Sequence, residues 1–225
     1  MTMPMATPER MGQGSMSDYK VGKINRVRQA PDRALQDRES VHAILDEGYV
    51  AHVGFLHDGE QVVIPTFYVR DGEQVLLHGS RKARMFRTLA AGAPLSLCVT
   101  LLDGLVLARS GFHHSMNYRS VIVHGRAHEL SGAEKARGLD LFVDRIVPGR
   151  ANEARRANKQ EDKATMVLAV PLETVAAKAR TGGVNDDPED LDLPIWAGVI
   201  PIETRYGAPI PEPGLDPKLK APKKG

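Results

Sequence analysis

The sequence predicts a mainly β fold with helices, in which six or seven antiparallel strands close into a barrel. Short apolar segments rich in β-branched and aromatic residues recur along the chain, and Asp-Gly pairs separate them at 58–59, 71–72 and 103–104. Such pairs are typical of tight hairpin turns. The alternating strand–helix units of a doubly wound sheet do not occur, and neither a GxGxxG nor a GxxxxGK[ST] motif is present.

Seven segments are predicted as strands: Tyr49–His57, Gln61–Arg70, Gln74–His78, Leu95–Leu102, Leu105–Ser110, Tyr118–Leu130 and Thr165–Lys178. A helix at Arg38–Glu47 precedes them, since Asp37 can cap its first turn. A basic helix at Arg81–Ala91 follows the third strand and has one apolar stripe. A third helix begins at the capping-box sequence Ser131–Glu134 and extends to about Val147.

Length and charge indicate one sizeable domain with extensions. The chain has 225 residues and a net charge of +2, so no overall basic field favours nucleic acid. No apolar run approaches the ~20 residues of a membrane span, and no signal peptide is recognisable, so we expect a cytoplasmic protein. The predicted organisation is a mobile arm at 1–22, the domain at 23–211, and a Pro- and Lys-rich tail at 212–225.

A corner of small and basic residues, His78-Gly79-Ser80 with Arg84, lies between the third strand and the basic helix. Free backbone N–H groups at such a corner suit a phosphate, as does a guanidinium beside them. His78, with an ordinary pKa of ~6.5, suits proton transfer or hydrogen bonding to a ligand. A strand end followed by an amphipathic helix with a solvated basic face explains the same residues equally well.

Two further segments contain candidate ligand-binding residues. Pro65 inside a strand indicates an edge, a bulge or a rim at which backbone groups can meet the polar edge of a planar ring. The run Ser115–Ser120 supplies hydrogen-bond donors, and Arg119 is suited to a phosphate or a pyrimidine carbonyl. An ordinary edge strand and a surface salt bridge are the alternatives. Trp196 fits either a core position or stacking on a cofactor, and the histidines match no metal-ligand spacing.

From about Arg33 to Pro211 the chain resembles the pyridoxamine 5′-phosphate oxidase-like FMN-binding split barrels. The likeness is greatest to their flavin-nucleotide-binding branch, which includes the nitroimidazole-resistance (Nim-type) reductases. The motifs that carry it are VIPTFYVRDGEQVLLHGSRKARM, SMNYRSVIVHGRA, IVPGR, ATMVLAVPLETVAAKARTG and DLPIWAGVIP. The resemblance implies a six- to seven-stranded antiparallel split barrel, with the basic helix after the third strand. It also implies a homodimer that binds FMN at its interface.

The resemblance assigns roles to particular residues. His78 matches the histidine linked to electron transfer in Nim-type members and is the expected catalytic residue. The expected cofactor-binding residues are Pro65, Thr66, His78, Gly79, Ser80, Arg84, Met85, Asn117, Tyr118, Arg119 and Ser120. Two departures argue against vitamin B6 oxidation: Met85 follows Arg84 where the oxidases have lysine, and the C-terminal Arg-Leu-x-Pro run is absent. Residues assigned to a distinct substrate pocket are Tyr68, Lys178, Arg180 and Trp196.

The favoured hypothesis is an FMN-dependent oxidoreductase that reduces a small planar or nitroaromatic molecule, with NAD(P)H or a reductase as electron donor. The flavin would carry the electrons while the protein orients the reactants. A second hypothesis is the same barrel with a deazaflavin or a haem, the haem being ligated by a histidine, Met116 or Tyr118. A third is a flavin-binding or ligand-sensing module without catalytic activity.

Overall fold

The computed structural model describes residues 18–222, and within them the predicted split barrel is confirmed. The strands are β1 (Ala34–Leu35), β2 (Val50–His57), β3 (Glu60–Asp71), β4 (Gln74–Ser80), β5 (Pro94–Leu107), β6 (Ser115–Arg126), β7 (His128–Glu129), β8 (Thr165–Pro171), β9 (Thr174–Arg180) and β10 (Gly198–Pro201). The helices are α1 (Arg38–Glu47), α2 (Arg84–Ala90), α3 (Gly132–Ile146), α4 (Arg150–Glu153) and α5 (Lys159–Ala164). Short 3₁₀ helices lie at Pro31–Arg33, Gly111–His113 and Pro188–Asp190.

The strands are hydrogen-bonded in the order β1-β9-β6-β5-β2-β3-β4-β8-β7, with β10 added to β5, and every pairing is antiparallel. The barrel divides between β3 and β4. Glu60–Phe67 of β3 pairs with β2, and only Tyr68–Asp71 pairs with β4. Beyond that point His78–Ser80 of β4 pairs with β8 alone. A gap, called the split below, therefore opens between the first two-thirds of β3 and the end of β4.

Apolar side chains pack on both faces of the barrel wall because successive strand residues point to opposite sides. Leu77 of β4 belongs to the large cluster inside the barrel, which also receives Ile44 and Leu45 from α1. Leu76 points outward and packs beneath α3 against Phe142. His78, two residues further along, lies on that same outer face. Each fully buried leucine contributes ~1.5–3 kcal/mol to the free energy of unfolding, so both layers stabilise the fold.

Several element boundaries differ from those predicted. Helix α1 has the predicted bounds, and the Asp37 side chain accepts from the Ser40 N–H as its cap. The predicted strand break at Asp103-Gly104 is wrong, because β5 runs continuously through a bulge there. The single strand predicted at Thr165–Lys178 is two strands, β8 and β9. Ser131 begins α3 without a side-chain cap, whereas a complete capping box forms at Asn158 of α5.

The N-terminal boundary also shifts. Tyr19 is 4% exposed in the barrel core, and its N–H donates to the carbonyl of Gln36. Tyr19, which lies in the predicted mobile arm, is therefore packed against the domain, whereas Asp18 and residues 20–22 are exposed. The rest of that arm, residues 1–17, and the end of the predicted tail, residues 223–225, lie outside the described residues. No helix between 18 and 222 is long and apolar enough to cross a membrane.

Candidate functional site

The split brings together two segments that the sequence analysis singled out separately. Pro65 is exposed, and Pro65 and Thr66 lie on the edge of β3 that no strand covers among residues 18–222. Gly79 and Ser80 form the facing end of β4. The ring of Phe67 on β3 lies 6.4 Å from that of His78 on β4, centroid to centroid, so the two strands that border the split are close together here. A planar ligand in the split would meet unpaired backbone of β3 on one side and the Gly-Ser corner on the other.

The imidazole of His78 lies in an aromatic setting on the outer face of the barrel. Its centroid is 4.1 Å from that of Phe142 on α3. Its Nδ1 is buried, and no hydrogen-bond partner for it exists among the described residues. Burial lowers the pKa of His78, so the ring is neutral at pH 7. An unpaired buried polar atom costs ~1–3 kcal/mol, which a ligand for the ring would offset.

His78 lines a cavity of about 580 Å³ between the barrel and helices α3 to α5. This volume is in the range of small-molecule sites. The wall is largely apolar and consists of Ala136, Leu139, Phe142, Val143, Ala151, Ala154 and Ala157. The charged residues around it are Asp140, Arg155, Arg156, Lys159 and Asp162. The cavity therefore offers an apolar interior, one imidazole, and a rim with three cationic and two anionic side chains.

Two polar contacts hold the helical wall in place. Lys135 of α3 is buried, and its Nζ lies 2.9 Å from a carboxylate oxygen of Asp162 on α5. The Arg81 N–H donates to the carbonyl of Ala164, which joins α5 to the corner after β4. By contrast, Arg155 and Arg156 pair with Glu161 and Asp140 at exposed positions. Exposed pairs contribute little to stability, so these two guanidinium groups can exchange partners at low cost.

The corner at Gly79 and Ser80, together with the start of α2, has fewer phosphate-binding features than the sequence indicated. Helix α2 begins at Arg84 behind Ala83, which provides no side-chain cap. Arg84 is exposed, and the described residues give it no ion-pair partner, so it is free to meet an anion. The Met85 side chain is 4% exposed in the core, and only its backbone remains for a ligand. Gly79 is required by packing, because a Cβ there would lie 2.8 Å from Cζ of Phe86.

Arg119 does not lie free beside the split. Its guanidinium donates to both carboxylate oxygens of Glu47, at 2.5 and 2.8 Å, and to both of Asp103, at 2.9 and 2.7 Å. These hydrogen bonds occupy its donors and raise its pKa. In this arrangement Arg119 ties α1 to β5, and its role at a phosphate or a pyrimidine carbonyl stays a prediction that would require it to leave one of these carboxylates.

The remaining predicted residues on β6 and β9 form a structural cluster. Arg180 is 8% exposed, and its guanidinium donates to Oδ1 of Asn117 and to the carbonyl of Gly183. The Asn117 amide in turn donates to the carbonyl of Gly182. These contacts fix the turn after β9 and use the polar groups that were assigned to cofactor and substrate. Tyr118 and Ser120 are half-buried beside this cluster on β6.

The four substrate candidates do not converge on one pocket. Tyr68 is fully buried and donates to the carbonyl of Leu45 at 2.7 Å, so its side chain is not available to a substrate. The Lys178 ammonium donates to the carbonyl of Gln29. Trp196 is 66% exposed, with its ring over Gly198, in the segment leading to β10.

Sequence reasoning missed several residues around His78. Phe142 comes from α3, and no local pattern links that helix to β4. Tyr49 stacks on Phe67 at 6.3 Å, and the Arg145 guanidinium lies 4.3 Å above the Tyr49 ring. The aromatic enrichment of the Phe67 strand was the only signal available, and it indicated burial rather than a site.

Comparisons with known proteins agree with this architecture. The sequence model described as pyridoxamine 5′-phosphate oxidase matches residues 37–179. The structure of the flavocytochrome Anf3 from Azotobacter vinelandii is 40% identical, with a TM-score of 0.84, over 89% of this chain and 94% of that one. The FAD and heme binding protein from Mycobacterium smegmatis is 35% identical, with a TM-score of 0.82, over 84% of this chain and 94% of that one.

A more distant structure is that of a putative 5-nitroimidazole antibiotic resistance protein from Bacteroides thetaiotaomicron. It is 17% identical, with a TM-score of 0.55, over 65% of this chain and 86% of that one, and it supports the fold alone. No curated protein sequence matches the chain. The family match extends from α1 through β9, the elements that build the split and one wall of the cavity. The chain belongs to the pyridoxamine 5′-phosphate oxidase family.

Proposed function

We propose that this chain is a redox protein that binds a flavin in the split and a haem in the cavity beneath α3, where His78 would ligate the iron. The names of the two relatives above 30% identity specify a flavocytochrome and a protein that binds FAD and haem. The sequence analysis had a flavin as the favoured cofactor and a deazaflavin or a haem in its place as the alternative. The present proposal combines flavin and haem, with the split and the cavity as separate sites that share β4.

The observation that carries the proposal is the environment of His78. An imidazole that lines an apolar cavity beside Phe142 is suited to ligating the iron of a bound haem. The cationic residues at the rim, Arg155, Arg156 and Lys159, suit the two carboxylates of a haem. Neither Met116 nor Tyr118, the other ligands considered, lines this cavity.

The flavin is assigned to the split. The unpaired edge of β3 at Pro65 and Thr66 offers backbone groups to the polar edge of the ring, and Ser80 and Arg84 offer donors to a phosphate. FMN was the cofactor predicted from sequence, whereas a relative's name specifies FAD. Both contain the same ring and a phosphate next to it, and the residues proposed here contact that common part.

When bound, the two groups would supply two-electron exchange at the flavin and one-electron exchange at the iron. The chain's own residues bind and orient them: His78 through its ring, the α3 wall by excluding water, and Arg84 by balancing phosphate charge. Reduction of a small planar or nitroaromatic substrate with electrons from NAD(P)H or a reductase is the proposed use of these electrons.

An absorption spectrum of the purified protein, followed by mass spectrometry of the released cofactors, tests the proposal. We expect flavin bands together with a Soret band. His78→Ala should lose the Soret band and keep the flavin. His124→Ala is the matched control, because His124 lies in a strand but contacts Ser96 on another part of the barrel; it should keep both.

Four outcomes would contradict parts of the proposal. A protein that binds flavin and shows no Soret band would favour the flavin-only hypothesis. A released cofactor with the mass of a deazaflavin would show that the split binds a deazaflavin instead of a flavin. A Soret band that survives in His78→Ala would exclude His78 as the ligand. If bound flavin stays oxidised with NADH, NADPH and added reductases, the binding or sensing module would be favoured over the reductase.

We also propose that the protein is a homodimer, as the resemblance implied. Three apolar residues, Ile200 of β10, Leu105 of β5 and Met116 of β6, lie directly side by side across the sheet, and all three are exposed. Exposed apolar stripes of this kind mark interfaces. Light scattering should give the mass of a dimer for the native chain and of a monomer for Leu105→Asp. Val63→Asp, at another exposed apolar position, should remain dimeric. A native monomer would refute the proposal.

A further inference from the structure

A continuous series of aromatic rings runs from His78 along the outer face of the barrel. His78 contacts Phe67 and Phe142, which lie 5.5 Å from each other. Phe67 is followed by Tyr49, whose ring is nearly parallel to it with an interplanar angle of 21°. The Tyr49 hydroxyl lies 2.8 Å from that of Tyr206, in the segment after β10. The series therefore joins the cavity beneath α3 to a pair of hydrogen-bonded phenols.

The two phenols differ from the other tyrosines of the described chain. Tyr68 donates to a backbone carbonyl, and Tyr19 contacts His42 and Glu73. Only Tyr49 and Tyr206 contact each other through their hydroxyls, and hydrogen bonding to Tyr49 raises the pKa of Tyr206. Such a pair can pass a proton between two oxygens without rearranging any side chain.

The Arg145 guanidinium decides what form an oxidised tyrosine would take. It lies 4.3 Å above the Tyr49 ring, so an electron cannot leave this ring without a large electrostatic penalty unless the phenolic proton leaves as well. Tyr206, hydrogen-bonded to Tyr49 and exposed to solvent, relays that proton to water by releasing its own phenolic proton. The geometry therefore favours a neutral phenoxyl radical at Tyr49 over a cationic ring.

We propose that Tyr49 and Tyr206 form a redox-active pair that supplies electrons through Phe67 to the His78 cavity when a peroxide reacts there. The inference rests on the proposed haem. The balance is 2 Tyr–OH + H₂O₂ → 2 Tyr–O• + 2 H₂O. The O–O bond of the peroxide and two phenolic O–H bonds break, each phenol loses one electron and one proton, and both electrons and both protons end in water.

The consequence for the protein is a second activity, peroxide reduction, whose reducing groups lie away from the cavity. Because the oxidation ends on Tyr49 and Tyr206, the side chains that contact the cavity are spared. Tyr206, at the accessible end of the series, is the residue at which a phenolic or thiol reductant restores the pair.

Rapid freeze-quench electron paramagnetic resonance after one equivalent of H₂O₂ tests this inference on the purified, cofactor-loaded protein. We expect an organic radical whose hyperfine pattern narrows when ring-deuterated tyrosine is incorporated. Tyr49→Phe should lose most of the signal, and Tyr206→Phe should lower the yield because the hydrogen-bonded relay of the Tyr49 proton to solvent is gone. Tyr19→Phe, a buried tyrosine outside the series that contacts His42 and Glu73, is the matched control and should leave the signal unchanged.

The absorption spectrum of each variant separates this inference from the function on which it rests. A protein without a Soret band overturns both. A protein with a normal Soret band but no tyrosyl signal, or with a signal that Tyr49→Phe leaves intact, overturns the redox pair alone. Phe67→Leu tests whether electrons pass from Tyr49 through Phe67 to the cavity. This variant should form the radical more slowly and keep its Soret band. An unchanged rate of radical formation would exclude Phe67 from the electron-transfer route.

Discussion

Gly79 offers a sharp test of how the corner after β4 is built. A methyl group at this position would lie within contact distance of the Phe86 ring, 2.8 Å from Cζ and 3.0 Å from Cδ2. Phe86 is buried in the barrel core on α2, so it has little room to retreat. Overpacking of a core costs ~1–3 kcal/mol. In a chain of this size each kcal/mol lowers the melting temperature by about 2–4 °C.

Gly79→Ala should therefore reduce the free energy of unfolding by ~1–3 kcal/mol in urea denaturation and differential scanning calorimetry. Gly111→Ala is the matched control, because nothing lies within 4 Å of its added methyl group, and it should change stability by less. Combining Gly79→Ala with Phe86→Leu should recover part of the loss, with a coupling energy of ~0.5–3 kcal/mol. Equal stability of Gly79→Ala and the native protein, measured without cofactor, would refute the packing argument and return Gly79 to a cofactor role.

Three further predictions concern residues that the sequence placed in the site. Tyr68→Phe leaves the Leu45 carbonyl without its buried donor and should cost ~1–3 kcal/mol of unfolding free energy in urea, with no change in cofactor content; cofactor loss at unchanged stability would contradict this. Arg119 lowers the pKa of Glu47 below its ordinary 4.5, so that the unfolded chain binds more protons in acid. The native protein should therefore lose stability as pH falls below 4.5. In acid titrations followed by circular dichroism, Glu47→Gln should lose stability less steeply than the native protein. Equal slopes of stability against pH for the two proteins would refute the pairing of Glu47 with Arg119. Asn117→Ala removes one of the two acceptors of the buried Arg180 guanidinium and should cost about as much as Tyr68→Phe, by the same urea assay; a neutral effect would exclude a structural role.

The sequence identified the elements whose signals are local. The spacing of Val41, Ile44 and Leu45 and the Asp37 cap define α1 correctly, since both features operate within one helix. The break predicted at Gly104 failed for the opposite reason. Gly104 is packed against β10, with the site of an added methyl group 3.1 Å from the Ile200 carbonyl. The glycine serves a close approach between distant segments, and a local turn pattern cannot reveal that.

The candidate site shows the same division. The sequence singled out His78 and Pro65 because a proline in a strand and a histidine at a corner are unusual where they occur. The contacts of Arg119 could not be predicted because its partners, Glu47 and Asp103, lie far from it in sequence, and only the folded chain reveals that its donors are occupied. The cavity wall was missed because the contact between α3 and β4 is tertiary, and the apolar face of α3 does not reveal which strand it covers.

The uncovered edge of β3 has a further consequence for the newly folded chain while the split is empty. A strand edge with free backbone groups invites pairing with a strand from another molecule, which is the first step of aggregation. Pro65 interrupts the row of donors near its middle, and its ring blocks a neighbouring strand at that point. The same residue that shapes the split thus protects a newly made chain, and a flavin in place would complete that protection.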